Sequence, residues 1–474
     1  MSLWEVNPGM DTERAPAFDE VRMLAWSLLQ QIEKSGTFAD LLIDQTFAQN
    51  SRLRPLDRAF IMELVLGTLR WRGRLDFAIH RLSKLPEKKI DPRVFNLLRM
   101  GAYQILFLDR VPVSAAINES VQLAKAIFKN EKISGFTNAI LRSLARAKNY
   151  EALPSFEQNP VDYLTQTLSH PRWMVERWVK EFGLEMARKI CIANNRRPPF
   201  TVRVNTLKVS REAVQKKIKA LGLELQPTTF APEGLVFAES FPPAQDVLFQ
   251  EGLYFVQDEA SQIVSHLLTP QAGERVLDVC AAPGGKSTHL AQLMEDRGEI
   301  IAMDLHGPKV NLIRDNCRRM GLSIIKAWRG DASKSLPFSP EMTLDRILVD
   351  APCTGLGTLH RHPEAKWRLK PDDPLRLGHL QMALLKNVCS RLKPGGVLVY
   401  STCTMTQEEN DSVVETFLKT HGDFRLEDLR SVVPNAWAPL IDTQGFLRTY
   451  PEMIISRDDY RLDGFFAARM RKRE

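Results

Sequence analysis

The stretch VLDVCAAPGGKSTHL, residues 276–290, decides the fold. With Arg275 in front of it, RVLDV (275–279) is an apolar run of strand type; the two glycines then make a tight turn, and KSTHL opens a helix. Open α/β sheets hold their ligands at such turns. The ending GGKST invites comparison with a nucleotide-phosphate loop, but the register fails. The first glycine of G-x-x-x-x-G-K-[ST] would have to stand at Cys280, and Pro283 removes an N–H from the cradle. The dinucleotide pattern G-x-G-x-x-G is missing as well, so a P-loop NTPase is disfavoured.

Outward from that turn, strands alternate with helices in the manner of a parallel α/β sheet. The further strand segments are EIIAMD (299–304), IIKAWRG (324–330), RILVD (346–350), GVLVYS (396–401) and GFFAARM (464–470). Pro308 suits a first helical position, Gly321 a C-terminal cap, and TQEE (406–409) a capping box. Asp304, Asp331 and Asp350 close successive strands beside the turn of Gly284 and Gly285. Any one of them alone reads as a turn residue. A row of three suits an adenosine-bearing ligand with a positive charge, which is S-adenosylmethionine, with Asp304 placed to hold ribose hydroxyls.

Two strand ends each carry a thiol: Cys353 in RILVDAPCTGLG (346–357) and Cys403 in LVYSTCTMTQEEN (398–410). A pyrimidine C5 is too weak a nucleophile to take a methyl group unaided. Thiolate addition at C6 turns the ring into an enamine-like nucleophile, so one cysteine suffices for attack. Lys286 is a cation able to favour a thiolate nearby, and Asp350 a carboxylate able to bond the ring at N3 and the exocyclic amine. Cys191, Cys317 and Cys389, on predicted helices, read as small buried hydrophobes, and Cys280 as packing within the turn. No CxxC pair exists, and His360 and His362 have no acidic or thiol partner at ligand spacing, so no metal is expected. Arg361, Lys366, Trp367 and Arg368 read equally as an RNA-contacting edge or as a solvated loop.

The rest of the chain is organised differently. Residues 17 to about 150 show helical periodicity, with Leu56, Phe60, Leu64 and Trp71 forming a stripe beside Ile61 and Val65. Ile117, Val121, Ala124 and Phe128 form another, with Ser114 as a candidate cap. EALPSFEQNPVD (151–162) reads as a linker. In FTVRVNTLK, Phe200, Val202 and Val204 alternate with Thr201, Arg203 and Asn205, the pattern of a half-buried strand, and Ser210 opens a helix ending near Gly222. The 474 residues carry 64 Lys and Arg against 57 Asp and Glu, a net charge of +7 that leans toward a polyanionic partner. The amino terminus has no export signal pattern and no apolar run approaches a membrane span, so a cytoplasmic protein without membrane association is expected.

CAAPGGKSTHLAQ, DAPCTGLGTLHRHPEAKW and LVYSTCTMTQEEN together resemble the RNA cytosine-5 methyltransferases, in the Fmu/Sun (RsmB) branch that modifies small-subunit ribosomal RNA. VSAAINESVQLAK and GFTNAILRSLAR resemble the NusB-like domain of that branch, and FTVRVNTLK and FVQDEAS its lead-in to the catalytic domain. The resemblance implies an α/β fold: a Rossmann-like S-adenosylmethionine-dependent sheet at 251–474, an all-α NusB-like RNA-binding domain at 15–150, and a small α+β (RRM-like) domain at 163–250. It implies methylation at C5 of a 16S ribosomal RNA cytosine of the cytosine-967 type, before full subunit assembly, by a monomer. Cys403 is then the nucleophile and Cys353 assists release. Cys280, Ala281, Ala282, Pro283, Gly284, Gly285, Lys286, Asp304, Asp331 and Asp350 contact the methyl donor, with Lys286 and Asp350 also reaching the cytosine. In MDLHGPKV (303–310), Gly307 departs from the family pattern just beyond Asp304. A non-catalytic RNA-binding or antitermination factor is the rival reading, opposed by the intact thiol pair, and transfer RNA is the rival substrate.

Overall fold

A computed structural model describes residues 19–147, 153–238, 246–453 and 461–474. The amino-terminal stretch read for export signals, and the start of the expected linker at 151–152, lie outside the described residues. The chain divides into two compact units. Among the described residues, no helix is long and apolar enough to cross a membrane.

The first unit runs to Asn195 and takes in the short segment His362–Arg368. Its helices are punctuated as their sequences dictate. Asp19 accepts from the backbone N–H groups of Val21 and Arg22 at 2.8 and 3.2 Å to start Glu20–Ser35, and Gly36 ends that helix in the left-handed region at φ 66°. On Pro55–Arg70 the buried stripe is Ile61, Leu64 and Val65, whereas Leu56 is 79% exposed. Leu56 falls in the first turn, ahead of the face that meets the core. Val113–Phe128 starts at Pro112 with no side-chain cap, so Ser114 does not serve as one. Leu28, Ile32, Leu97, Leu98, Leu141 and Leu144 share one core, each contributing about 1.5–3 kcal/mol by leaving water.

His362–Arg368 corrects a further expectation. Lys366 is fully buried and donates to the carbonyl oxygens of Arg70 (2.8 Å) and Ser169 (3.0 Å) and to Asn195 Oδ1 (3.2 Å). Trp367 Nε1 donates to the Leu69 carbonyl at 2.7 Å, and Arg368 to those of Gly36 and Thr37. This is neither an RNA-facing edge nor a solvated loop. Carbonyls at helix ends absorb the charge, and burial holds the Lys366 ammonium well below its ordinary pKa.

The second unit, Arg196–Arg361 and Leu369–Glu474, carries two sheets. The smaller is antiparallel, in the order β2 (Leu225–Pro227), β3 (Gly234–Phe237), β1 (Phe200–Val204), β4 (Tyr254–Val256). The alternation in β1 does not mean half-burial: Thr201, Arg203 and Asn205 are as buried as Val202 and Val204. A second layer covers the polar face, where Asn205 Nδ2 donates to the Met320 carbonyl at 3.0 Å. The larger sheet comprises β5 (Arg275–Val279), β6 (Glu299–Asp304), β7 (Ile325–Arg329), β8 (Leu344–Asp350), β9 (Leu392–Thr402), β10 (Phe424–Glu427), β11 (Leu447–Arg448) and β12 (Phe466–Lys472). Its order is β10-β12-β9-β8-β5-β6-β7, with β11 also on β12. The strands β5 to β9 are parallel, but β12 runs antiparallel to β9, so the sheet is mixed rather than parallel throughout.

Candidate active site

The order of the sheet puts the carboxyl ends of β6, β5, β8 and β9 side by side. At the end of β5, Cys280 enters the left-handed region at φ 61° and the Ala281 N–H reaches the Met303 carbonyl of β6 at 2.8 Å. Gly284, at φ 99°, donates to the Ala281 carbonyl at 2.7 Å and turns the chain into the helix Gly285–Leu293. A side chain at that φ would be strained, which is why a glycine stands there. The Pro283 carbonyl accepts from Asn316 Nδ2 at 3.0 Å.

Carboxylates converge on this turn. Asp304 accepts the His306 N–H at 3.1 Å and faces the Ala282 N–H at 3.4 Å. Asp350 accepts from Lys286 Nζ at 2.7 Å with one oxygen and from Ser401 Oγ at 2.8 Å with the other. Lys286 therefore pairs with a carboxylate, and it also lies over the Phe465 ring at 5.2 Å. The Cys280 thiol is pushed up by burial and then by Asp304, Asp350 and Asp278. Asp331 is engaged locally instead: it accepts from Ser333 Oγ at 2.6 Å and pairs with Lys334 at 3.1 Å. The Ser333 bond holds its carboxyl below the usual range.

The two thiols meet. Cys353 Sγ and Cys403 Sγ are 3.3 Å apart, a hydrogen-bonding distance well beyond a disulfide. Neighbouring parallel strands bring them there, since Ala351 N–H donates to the Ser401 carbonyl (2.9 Å) and Gly357 N–H to the Cys403 carbonyl (3.0 Å). The bond to Cys403, then burial, push the Cys353 thiol well above its ordinary value; the charges of Cys403 and Glu409 add to this.

Three residues to which sequence reading gave no part in the site support this end of the sheet. Arg203, fully buried on β1, donates to the Gly285 carbonyl at 2.6 Å, to Thr288 Oγ1 at 2.8 Å and to Gln257. Burial lowers it to about 9. Asp278 accepts from Ser287 Oγ at 2.5 Å, and burial pushes it up to about 7; an acidic residue inside the apolar run RVLDV was the visible signal. Glu409 is fully buried and accepts from Thr354 and Thr406. It is not part of a helix-opening capping box: Gln407–Glu409 is a short 3₁₀ turn, and the α-helix begins at Asp411.

His360 is buried, with Nε2 2.7 Å from Asp463 Oδ1, and Arg361 pairs with Asp258 and Asp463 at 2.8 Å, so neither faces outward. Among the described residues Glu233, His266 and His289 place ligand-type atoms within 4.8 Å of one another. Glu233 stands 3.0 Å from His266 Nε2 and 3.7 Å from His289 Nε2. Burial, and then the Arg203 charge, push His289 down to about 3. Both imidazoles hold the Glu233 carboxyl below its usual range against burial, so the three form a carboxylate–imidazole network.

A mixed sheet of this order, with a glycine turn and strand-end carboxylates at one edge of its parallel part, defines a Rossmann-like methyltransferase. Residues 265–471 match the family model for the 16S rRNA methyltransferase RsmB/F, residues 170–243 its ferredoxin-like domain, and residues 19–146 the NusB family. The chain belongs to the RsmB/F family. It is 38% identical over 456 residues to the probable ribosomal RNA small subunit methyltransferase B of Bacillus subtilis, covering 96% of this chain and 99% of that protein. It is also similar to the crystal structure of PH0851, at a TM-score of 0.81 and 26% identity over 98% of this chain and 100% of that one. NSun6 from Pyrococcus horikoshii, solved with SFG, matches at a TM-score of 0.56 and 26% identity, over 64% of this chain and 98% of that one.

Proposed function

We propose that this chain transfers a methyl group from S-adenosylmethionine to C5 of a cytosine in 16S ribosomal RNA, of the cytosine-967 type, through a covalent bond between Cys403 and C6. The observation that carries the reading is the 3.3 Å apposition of Cys353 and Cys403 at strand ends flanked by the Lys286–Asp350 pair. The small-subunit methyltransferase names of its relatives support the substrate.

In this reading the turn Cys280 to Lys286, with Asp304, Asp331 and Asp350, holds the donor. Its sulfonium charge is matched by the carboxylates around that turn. Cys403 thiolate adds to C6, and C5 then attacks the methyl carbon and the thioether product leaves. Loss of the C5 proton to water and elimination of the Cys403 sulfur restore the ring. Asp350 and Lys286 bond the cytosine edge as charge builds. Cys353, held in its thiol form, donates its S–H to the departing sulfur. Residues 15–150 and 163–250 serve as RNA-binding parts and 251–474 as the catalytic part. The protein acts as a cytoplasmic monomer on RNA before subunit assembly, without a metal.

A denaturing gel with labelled RNA tests the chemistry. Cys353→Ala is expected to accumulate protein joined to RNA, and Cys403→Ala to show neither adduct nor turnover while still binding donor. An adduct from Cys403→Ala would exchange the two roles. Activity retained with no adduct in either variant would end the covalent reading.

A further inference from the structure

Glu409 lies between the two thiol-bearing loops and has no part in the chemistry so far described. Its Oε1 accepts the Thr354 N–H at 2.8 Å and Gln381 Nε2 at 3.2 Å; its Oε2 accepts Thr354 Oγ1 at 2.6 Å and Thr406 Oγ1 at 2.8 Å. Thr354 follows Cys353 directly, and Thr404 follows Cys403, with the two hydroxyl oxygens 2.7 Å apart. The carboxylate is fully shielded from solvent. Two of its four partners, a backbone N–H and an amide nitrogen, have only hydrogens to offer, so both lone-pair positions of Oε1 are taken by donors.

A buried carboxylate is costly, and nothing in ordinary packing calls for one here. From this geometry we infer that Glu409 is a positioning residue, which ties the Cys353 loop to the Cys403 loop and keeps the shared proton of the thiol pair on Cys353. The inference rests on the covalent reading above for its purpose, but not for its physics. Burial pushes the Glu409 carboxyl itself up, against the pull of its Thr354, Thr406 and Gln381 donors; once ionised, its charge opposes a second one on the Cys353 sulfur, and Glu409 is among the groups that push that thiol up, after the bond to Cys403, burial and the Cys403 charge. Tyr400 is also packed there, buried beside Cys353, Glu409 and Asp350, with its hydroxyl oxygen 2.9 Å from Gln381 Oε1 and against the Glu409 carbonyl, its single hydrogen serving one or the other. Asp350 is itself matched by Lys286. Among the described residues no ion pair opposes Glu409, whose four side-chain bonds all come from neutral groups.

The test uses the full chain without RNA or donor. Alkylation of Cys353 by iodoacetamide is followed against pH by mass spectrometry of its peptide, in the parent, in Glu409→Gln and in Thr354→Val. Glu409→Gln keeps the shape and removes the charge, so the Cys353 midpoint should fall by about one pH unit, roughly a tenfold gain in alkylation rate below the midpoint. Thr354→Val removes a bond to the carboxylate but keeps the charge, and its midpoint should stay with the parent. Donor affinity in calorimetry should be unchanged in both variants. An unchanged midpoint in Glu409→Gln, or equal shifts in the two variants, overturns the proposal. In turnover, Glu409→Gln should lower kcat with little change in KM, with Glu409→Asp restoring part of it; a rise in KM alone would also count against it. Failure of the adduct gel would leave the thiol titration standing, so the two readings fall separately.

Discussion

At the scale of single residues, the site is a set of charges whose states depend on neighbours from distant parts of the chain. Asp278 shows this in a measurable way. Burial raises its pKa from 3.8 to about 7, against the pull of the Ser287 bond. Between those values the folded chain keeps a proton that the unfolded chain has released. The folded state therefore binds more protons, and stability falls as pH rises through that window, being fully present only below the unfolded value. Asp278→Asn retains an acceptor for Ser287 and does not ionise. Its melting temperature should match the parent near pH 4, pull ahead as pH rises toward 7, and hold a constant lead above that, worth up to about 4 kcal/mol. A lead independent of pH would mean that Asp278 stays ionised in the folded state. Residue identity alone suggested none of this. Asp278 stood in the sequence as a polar interruption of a strand, and only the fold places Ser287 and Asp350 around it.

Elements were far more legible than their contacts. The period-two and apolar runs at 275–279, 299–304 and 346–350 could be read because strand burial and turn residues are local signals. That β8 and β9 are neighbours, and hence that Cys353 meets Cys403, is a fact of sheet order that no local window contains. Alternation failed in β1 for the same reason: it reports one buried face, and Arg203 and Asn205 are covered by a second layer that folds onto them later in the chain. The capping-box reading of 406–409 failed because Thr406 and Glu409 bond each other's side chains, with the acid turned toward Thr354. Close approach between elements is equally invisible, and Gly357 gives a test of it. Its N–H bonds the Cys403 carbonyl and its own carbonyl accepts from Gly464, and a Cβ there would fall 2.6 Å from the Gly464 carbonyl carbon. Gly357→Ala should cost about 1–3 kcal/mol of stability, the usual penalty for forcing a methyl into packed atoms, and should slow turnover by shifting the thiol loops. Gly422→Ala, where a Cβ meets nothing within 4 Å, is the control and should be close to neutral. Equal melting temperatures for the two variants would show that the loops yield freely at Gly357.

For the molecule as a whole, charge and modular order were readable, and the assignment of segments to compact units was not. The segment Ala365–Arg368 looks basic and exposed as a string of letters, yet it completes the first unit through Lys366 and Trp367. Removing residues 1–150 to test RNA binding would therefore take away the Arg70 and Leu69 carbonyls that Lys366 and Trp367 bond, and unsettle that segment. Point changes on the intact chain avoid this. On the helix Glu131–Arg146, Leu141 and Leu144 face the core while Lys132, Arg142 and Arg146 are exposed, and the net charge of +7 suits a phosphate backbone. If that face contacts RNA phosphate, each lost contact should flatten the slope of log affinity against log salt by roughly 0.7–0.9, because fewer counterions are released. Arg142→Ala with Arg146→Ala should thus reduce the slope by about 1.4–1.8 and weaken binding most at low salt. Melting temperature should hardly move, since neither guanidinium is buried. A filter-binding titration across salt concentrations reads the slope directly. An unchanged slope with full affinity would take the outer face of this helix away from the RNA.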